Sequence, residues 1–132
     1  LTEVHAAVGV ANLKYWDSVM SDREEKYFLY LDNLAKNKNL KFQKIFKGCN
    51  YSYMPIILPD EKTLLKVKAD LEKNKVFPRR YFYPSMNKVN LFSQGIMRNS
   101  EDLSSRILCL PINYDMSERD VLFISQMINS GI

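Results

Sequence analysis

Apolar residues recur at helical spacing through the first quarter of the chain: Val4, Val8, Ala11, Tyr15 and Val19, then Tyr27, Leu31 and Leu34. That period predicts helix over residues 3–36, with Thr2 as N-cap and Glu3 in the first turn. A bend is expected near Ser21-Asp22, where a Ser-Asp pair can cap a second segment. Residues 40–46 alternate as a short strand does, and Gly48-Cys49-Asn50 forms a turn. Residues 51–58 are β-prone, but Pro55 has no N–H for a ladder, which predicts an edge strand or a bulge. Asp60 caps the best-defined helix, with Glu61 early and Leu64, Val67 and Leu71 on one face as far as Asn74. Residues 76–80 read as a strand entering an irregular loop, and residues 88–99 as loop. Ser100-Glu101-Asp102 caps a short helix ending at Arg106, then Ile107-Leu108-Cys109-Leu110 forms a buried strand stopped by Pro111. Ser117 and Asp120 open the last helix, with Val121, Ile124 and Ile128 inward and Gly131 at its end.

This order predicts an α/β (α+β) fold, a small sheet with helices packed mainly on one side. The 132 residues suit one domain, 1–132, led in by the helical region 1–36. With 46% hydrophobic and 26% charged residues the chain is ordinary for a globular protein, and a net charge of +4 permits an acidic partner without demanding one. The sequence has no run long and apolar enough to span a bilayer and no signal-peptide pattern, so a cytoplasmic protein with no membrane partner is expected. Cys49 and Cys109 are far apart and read as reduced thiols. His5 is the only histidine, so a zinc site or a His-based nucleophilic relay lacks the residues it needs.

Candidate chemistry concentrates in residues 76–87, where Arg79 and Arg80 lie among Phe77, Tyr81, Phe82 and Tyr83, between Pro78 and Pro84. Guanidinium forks suit phosphate and the rings suit planar groups, so the stretch could hold a polyanionic, partly planar ligand. The plainer alternative puts Phe77, Phe82 and one tyrosine in the core with the arginines reaching to solvent. Elsewhere, Ala6-Ala7 and Gly9 leave one helix side smooth; Gly9 costs about 1 kcal/mol of helix propensity against alanine, which implies a neighbour pressed against it.

Three segments, in order, resemble the C-terminal part of the DegT/DnrJ/EryC1/StrS family of pyridoxal-phosphate-dependent nucleotide-sugar aminotransferases. They are Leu1-Thr2-Glu3-Val4-His5-Ala6-Ala7-Val8-Gly9, Arg80-Tyr81-Phe82-Tyr83-Pro84-Ser85-Met86-Asn87, and Arg106-Ile107-Leu108-Cys109-Leu110-Pro111 ahead of Ser117-Glu118-Arg119-Asp120-Val121. The loop wording is closest to the branch acting on dTDP-4-keto-6-deoxy sugars, which includes the 4-amino-4,6-dideoxyglucose formers.

The resemblance implies the small C-terminal domain of a fold-type-I aminotransferase, with a mainly antiparallel sheet, working as a homodimer on a nucleotide sugar and an amino-acid donor for polysaccharide biosynthesis. It implies pyridoxal phosphate in the full-length enzyme and none bound to this chain alone, because the family's Schiff-base lysine and pyridine-binding carboxylate lie ahead of Leu1. An isolated chain is then expected to be inactive, with no catalytic, cofactor-binding or metal residue. Arg80, Tyr83 and Asn87 match the family's loop positions and are the expected substrate-binding residues, Arg80 as the charge facing a phosphate or carboxylate. Ser85 replaces a second proline and Asn87 a common histidine, which leaves hydrogen bonding but removes a titratable group. Two alternatives stand beside this: a nucleic-acid module using Arg79, Arg80, Tyr81, Tyr83 and the lysines of 36–47, and a dimerisation module using the Ala6-Ala7-Gly9 face. The aminotransferase reading itself needs no nucleic acid.

Overall fold

The computed structural model describes residues 2–90 and 95–132. Its elements in chain order are α1 (Glu3–Leu13), α2 (Trp16–Leu34), β1 (Lys41–Phe42), β2 (Met54–Ile57), α3 (Glu61–Lys73), a 3₁₀ turn (Met86–Lys88), α4 (Arg98–Arg106), β3 (Ile107–Leu110) and α5 (Glu118–Gly131). The strands form an antiparallel sheet in the order β1-β2-β3.

The caps follow the sequence. Thr2 accepts from the His5 N–H, Asp60 accepts from the Thr63 N–H at 2.7 Å, and Ser117 with Asp120 forms a reciprocal capping box. The first helix departs from expectation. It breaks at Lys14-Tyr15 and runs unbroken through Ser21-Asp22. Inside α2, Ser21 donates to Glu25 and Asp22 pairs with Lys26 at 2.7 Å, so side chains expected to end a helix instead support one at i,i+4 spacing.

Pro55 sits in the central strand, not at a sheet edge. It faces Cys109, whose own N–H and C=O both turn away to Arg79, so Pro55-Cys109 is a pair without mutual hydrogen bonds. The missing N–H therefore points to the β1 side, where the register would place Gln43, and β1 stops at Phe42. One proline thus explains both the shortened β1, expected over residues 40–46, and its own tolerance. Residues 76–80 likewise give a single bridge, Arg79 to Cys109, with bonds of 2.9 and 2.8 Å. The next bonded pair would set Phe77 against Pro111, which has no N–H to donate.

The core gathers Tyr27, Tyr30 and Leu34 of α2, Met54, Ile56 and Leu58, Leu64, Val67 and Leu71 of α3, Leu108 and Leu110, and Val121, Ile124 and Ile128 of α5. These come from one face of the sheet and the facing stripes of three helices, with α5 packed against both α2 and α3. By contrast, α1 has no buried residue, and nothing lies within 4 Å of where a Cβ on Gly9 would be. The contact expected at its smooth side is not made among the described residues. No helix there is long and apolar enough to cross a membrane.

Candidate functional site

Helix α3 ends by turning the chain into the loop. Lys75 takes a left-handed φ of 61°, and the Val76 N–H returns to the Leu71 carbonyl at 3.0 Å, closing the last turn. Pro78 is buried and Arg79 is bridged to β3, so the loop leaves from a fixed edge.

Beyond that edge the two arginines part. Arg80 turns inward, with its side chain only 13% exposed. Its Nη2 donates to Glu61 Oε1 at 2.7 Å and to the Ser105 carbonyl at 2.8 Å, so it ties the start of α3 to the end of α4. The Tyr83 ring lies 3.6 Å from the guanidinium carbon and shields it with a half-exposed aromatic face. The Arg80 hydrogen bond, with a smaller contribution from the Tyr83 hydroxyl, holds the Glu61 carboxyl below its usual range.

Asn87 is buried and closes the far side of the loop. Its amide donates to Glu101 Oε1 at 2.6 Å and to the Gly95 carbonyl at 2.9 Å, while its oxygen accepts from Ser85 at 2.7 Å. Glu101 also accepts from the Met97 N–H at 2.9 Å and pairs with Lys88 at 3.1 Å. The Met97 N–H, then Asn87 and Lys88, keep its carboxyl below the usual range. Glu101 therefore caps α4 from within, and the helix starts at Arg98 rather than at Ser100-Glu101-Asp102. Within the stretch expected as loop, residues 91–94 lie outside the described residues.

The plainer alternative, with rings in the core and arginines in solvent, holds for the exposed Arg79 but not for the rings or Arg80. Phe77 and Phe82 are 68% and 72% exposed, and the buried-in partner is Arg80. The three candidate residues do share one segment, but Arg80 Nη2 and both polar atoms of the Asn87 side chain are engaged within the chain, while the buried Arg80 Nε has no partner among the described residues. What Arg80 faces is a carboxylate of this chain. Sequence reasoning passed over Glu61 and Glu101, the two acceptors that fix the loop, because each reads locally as an ordinary helix acid.

The described residues do not fit pyridoxal phosphate as a complete site. Lys26 is the only buried lysine among them, and its ammonium is engaged by Asp22 at 2.7 Å and by the Asn113 and Tyr114 carbonyls at 2.9 and 3.2 Å. With three acceptors closed around it, that amine is committed to contacts within the chain and is not open to a cofactor carbonyl. It fastens α2 to the segment after β3.

The chain matches the DegT/DnrJ/EryC1/StrS aminotransferase family over residues 1–129. It is 30% identical to a dTDP-4-amino-4,6-dideoxy-D-glucose transaminase of Escherichia coli, over 97% of this chain and 37% of that protein. A protein of the same description from Shigella dysenteriae is 28% identical, over 92% of this chain and 35% of its own length. The chain thus spans little more than a third of these relatives. Among solved structures, a putative PLP-dependent aminotransferase from Bacillus cereus is 28% identical with a TM-score of 0.85, over 98% of this chain and 37% of that one. The Helicobacter pylori aminotransferase PseC, involved in pseudoaminic acid biosynthesis, shares the fold with a TM-score of 0.87 at 19% identity, over 99% of this chain and 37% of that one. With one family matched from end to end of a fold that its solved relatives share, the chain belongs to the DegT/DnrJ/EryC1/StrS aminotransferase family.

Proposed function

We propose that this chain is the C-terminal lobe, 1–132, of a homodimeric, pyridoxal-phosphate-dependent aminotransferase that converts a dTDP-4-keto-6-deoxyhexose to the amino sugar using an amino-acid donor. The observation that carries this is the match over 97% of the chain to a transaminase of that description, at 30% identity. The cofactor, and the lysine and carboxylate that serve it, belong on this reading to polypeptide outside the 132 residues, so no catalytic residue is assigned here. Residues 76–90 form the wall that this lobe brings to the sugar-nucleotide pocket. Arg80 and Asn87 act as positioning residues, one pinning the loop to Glu61 and the other to Glu101, and Tyr83 offers its open half to substrate. Preorganising such a wall lowers the entropy lost when substrate is enclosed. Cys49 and Cys109, both free, suit the reducing cytoplasm. The nucleic-acid alternative is weakened, because Arg80, one of its two loop cations, is already paired inside the chain.

The test is transamination by the protein of the complete coding region. Incubated with pyridoxal phosphate, glutamate and dTDP-4-keto-6-deoxyglucose, it is expected to give the dTDP-linked amino sugar by mass spectrometry. Tyr83→Ala should raise KM for the nucleotide sugar several-fold and leave the donor KM unchanged. No amino sugar from any dTDP-keto-deoxyhexose would remove the reading.

A further inference from the structure

The turn between β1 and β2 builds a cluster that the loop site does not use. Gly48, at a left-handed φ of 87°, and Tyr51, at 47°, wind the chain tightly around Cys49. The Cys49 N–H donates to the Phe46 carbonyl at 3.1 Å, and the Tyr51 N–H turns back onto Cys49 Sγ at 3.5 Å. Tyr51 is anchored in turn: its hydroxyl donates to Glu24 at 2.8 Å, and its ring packs 5.5 Å from that of Tyr27 on α2. Tyr27 is fully buried, yet its hydroxyl has no hydrogen-bond partner among the described residues. A buried donor left unpaired is costly, so it marks a place where another polar atom belongs. Burial raises the pKa of that hydroxyl, the Gln43 side chain beside it lowers it, and the Cys49 thiolate raises it again. The sulfur is thus one of the few polar neighbours of the orphaned hydroxyl.

The two thiols differ in what can reach them. Cys109 is buried, and burial pushes its thiol up. Cys49 is half-buried, in a turn approached by the exposed Lys44 and Lys47. Partial exposure among cations is the setting in which a cysteine is oxidised selectively. We propose that Cys49 is an oxidation site that takes one oxygen atom from hydrogen peroxide, and that the Tyr27 hydroxyl and the Tyr51 N–H hold the resulting sulfenic acid. The thiolate sulfur attacks one peroxide oxygen; the S–O bond forms as the O–O bond breaks, and the departing hydroxide takes up a proton and leaves as water. Sulfur gives up two electrons and the peroxide receives them. The Tyr27 hydroxyl then donates to the new oxygen while the Tyr51 N–H stays on sulfur. Two molecules of a small thiol return Cys49 to its resting form, through a mixed disulfide and with loss of water. The site is independent of the aminotransferase reading.

The 132-residue chain, freed of reductant, is treated with equimolar hydrogen peroxide and trapped with dimedone, and the adducts are placed by peptide mass spectrometry. An adduct at Cys49 and none at Cys109 is expected in the folded chain, and Cys49→Ser should abolish it. Tyr27→Phe removes only the unpartnered hydroxyl. It should lower the Cys49 adduct about fivefold, the worth of one hydrogen bond, with sulfinic acid rising in its place. The rate of Cys49 alkylation by iodoacetamide and the thermal melt should not change. No adduct at Cys49, or an equal one at Cys109 in the folded chain, would overturn the site; this comparison needs no variant and stands whatever Tyr27→Phe does to folding. An undiminished adduct in Tyr27→Phe at an unchanged melt, or an adduct that falls only in step with alkylation, would overturn the role given to the hydroxyl.

Discussion

Helices α1 and α5 have similar lengths, 11 and 14 residues, and opposite surroundings. In α5, Val121, Ile124 and Ile128 form one stripe, all three are buried, and the other faces are polar or half-open. In α1, Val4, Ala6, Ala7, Val8, Val10, Ala11 and Leu13 spread over most of the circumference, and none is buried. A striped helix is built to cover a core on one side; a helix apolar nearly all round is built to be enclosed. The core formed by α2, α3, α5 and the sheet is thus closed by elements of this chain, whereas α1 is written for surroundings that the described residues do not supply. That agrees with a chain spanning 37% and 35% of its curated relatives. On the proposed reading, the remainder of the protein or its partner subunit encloses α1.

The comparison is broken most directly by cutting into each side. Leu108→Ala, at a fully buried strand position, should cost about 2–5 kcal/mol in urea unfolding of the 132-residue chain. Val8→Ala in α1, at a 56% exposed position, should change stability by less than about 0.5 kcal/mol. Equal costs would mean that α1 already has a partner within the chain. Next in size is Arg80→Met, which leaves the Ser105 carbonyl and Glu61 without their donor and should cost on the order of 2 kcal/mol. Arg79→Gln, its exposed neighbour, should leave the unfolding midpoint unchanged.

A smaller effect follows from acid. Folded Glu61 and Glu101 have lowered pKa values, so their contributions are fully present above the ordinary carboxylate pKa and are lost as pH falls through the lowered folded values. Proteolysis beside Lys88 and Met97, the residues Glu101 holds, should accelerate below about pH 4, before the helical circular dichroism signal falls. A loop that loosens only together with the helices would show that Glu101 does not hold it separately.

The caps and stripes of α3 and α5 were legible because both depend on residues three or four apart, such as Asp60 with Thr63 and Ser117 with Asp120. The break in the first helix was misplaced because Ser21 and Asp22 can either cap a new helix or bond one turn onward, and local sequence does not choose. The candidate loop stood out through its arginines, aromatics and prolines, but not the direction of each side chain. Which arginine faces inward is set by pairing Arg79 with Cys109, thirty positions away, and by Glu61 at the start of α3. Likewise, Pro55 was compatible with an interior strand only because β1 stops before reaching it, a matter of register between strands.

Hydrogen–deuterium exchange over residues 3–13 tests most directly whether this is one lobe of a larger enzyme. In the 132-residue chain, the amides of α1 should exchange far faster than those of α5; in the protein of the complete coding region, α1 should become protected while α5 changes little. Equal, rapid exchange of α1 in both proteins would contradict the reading.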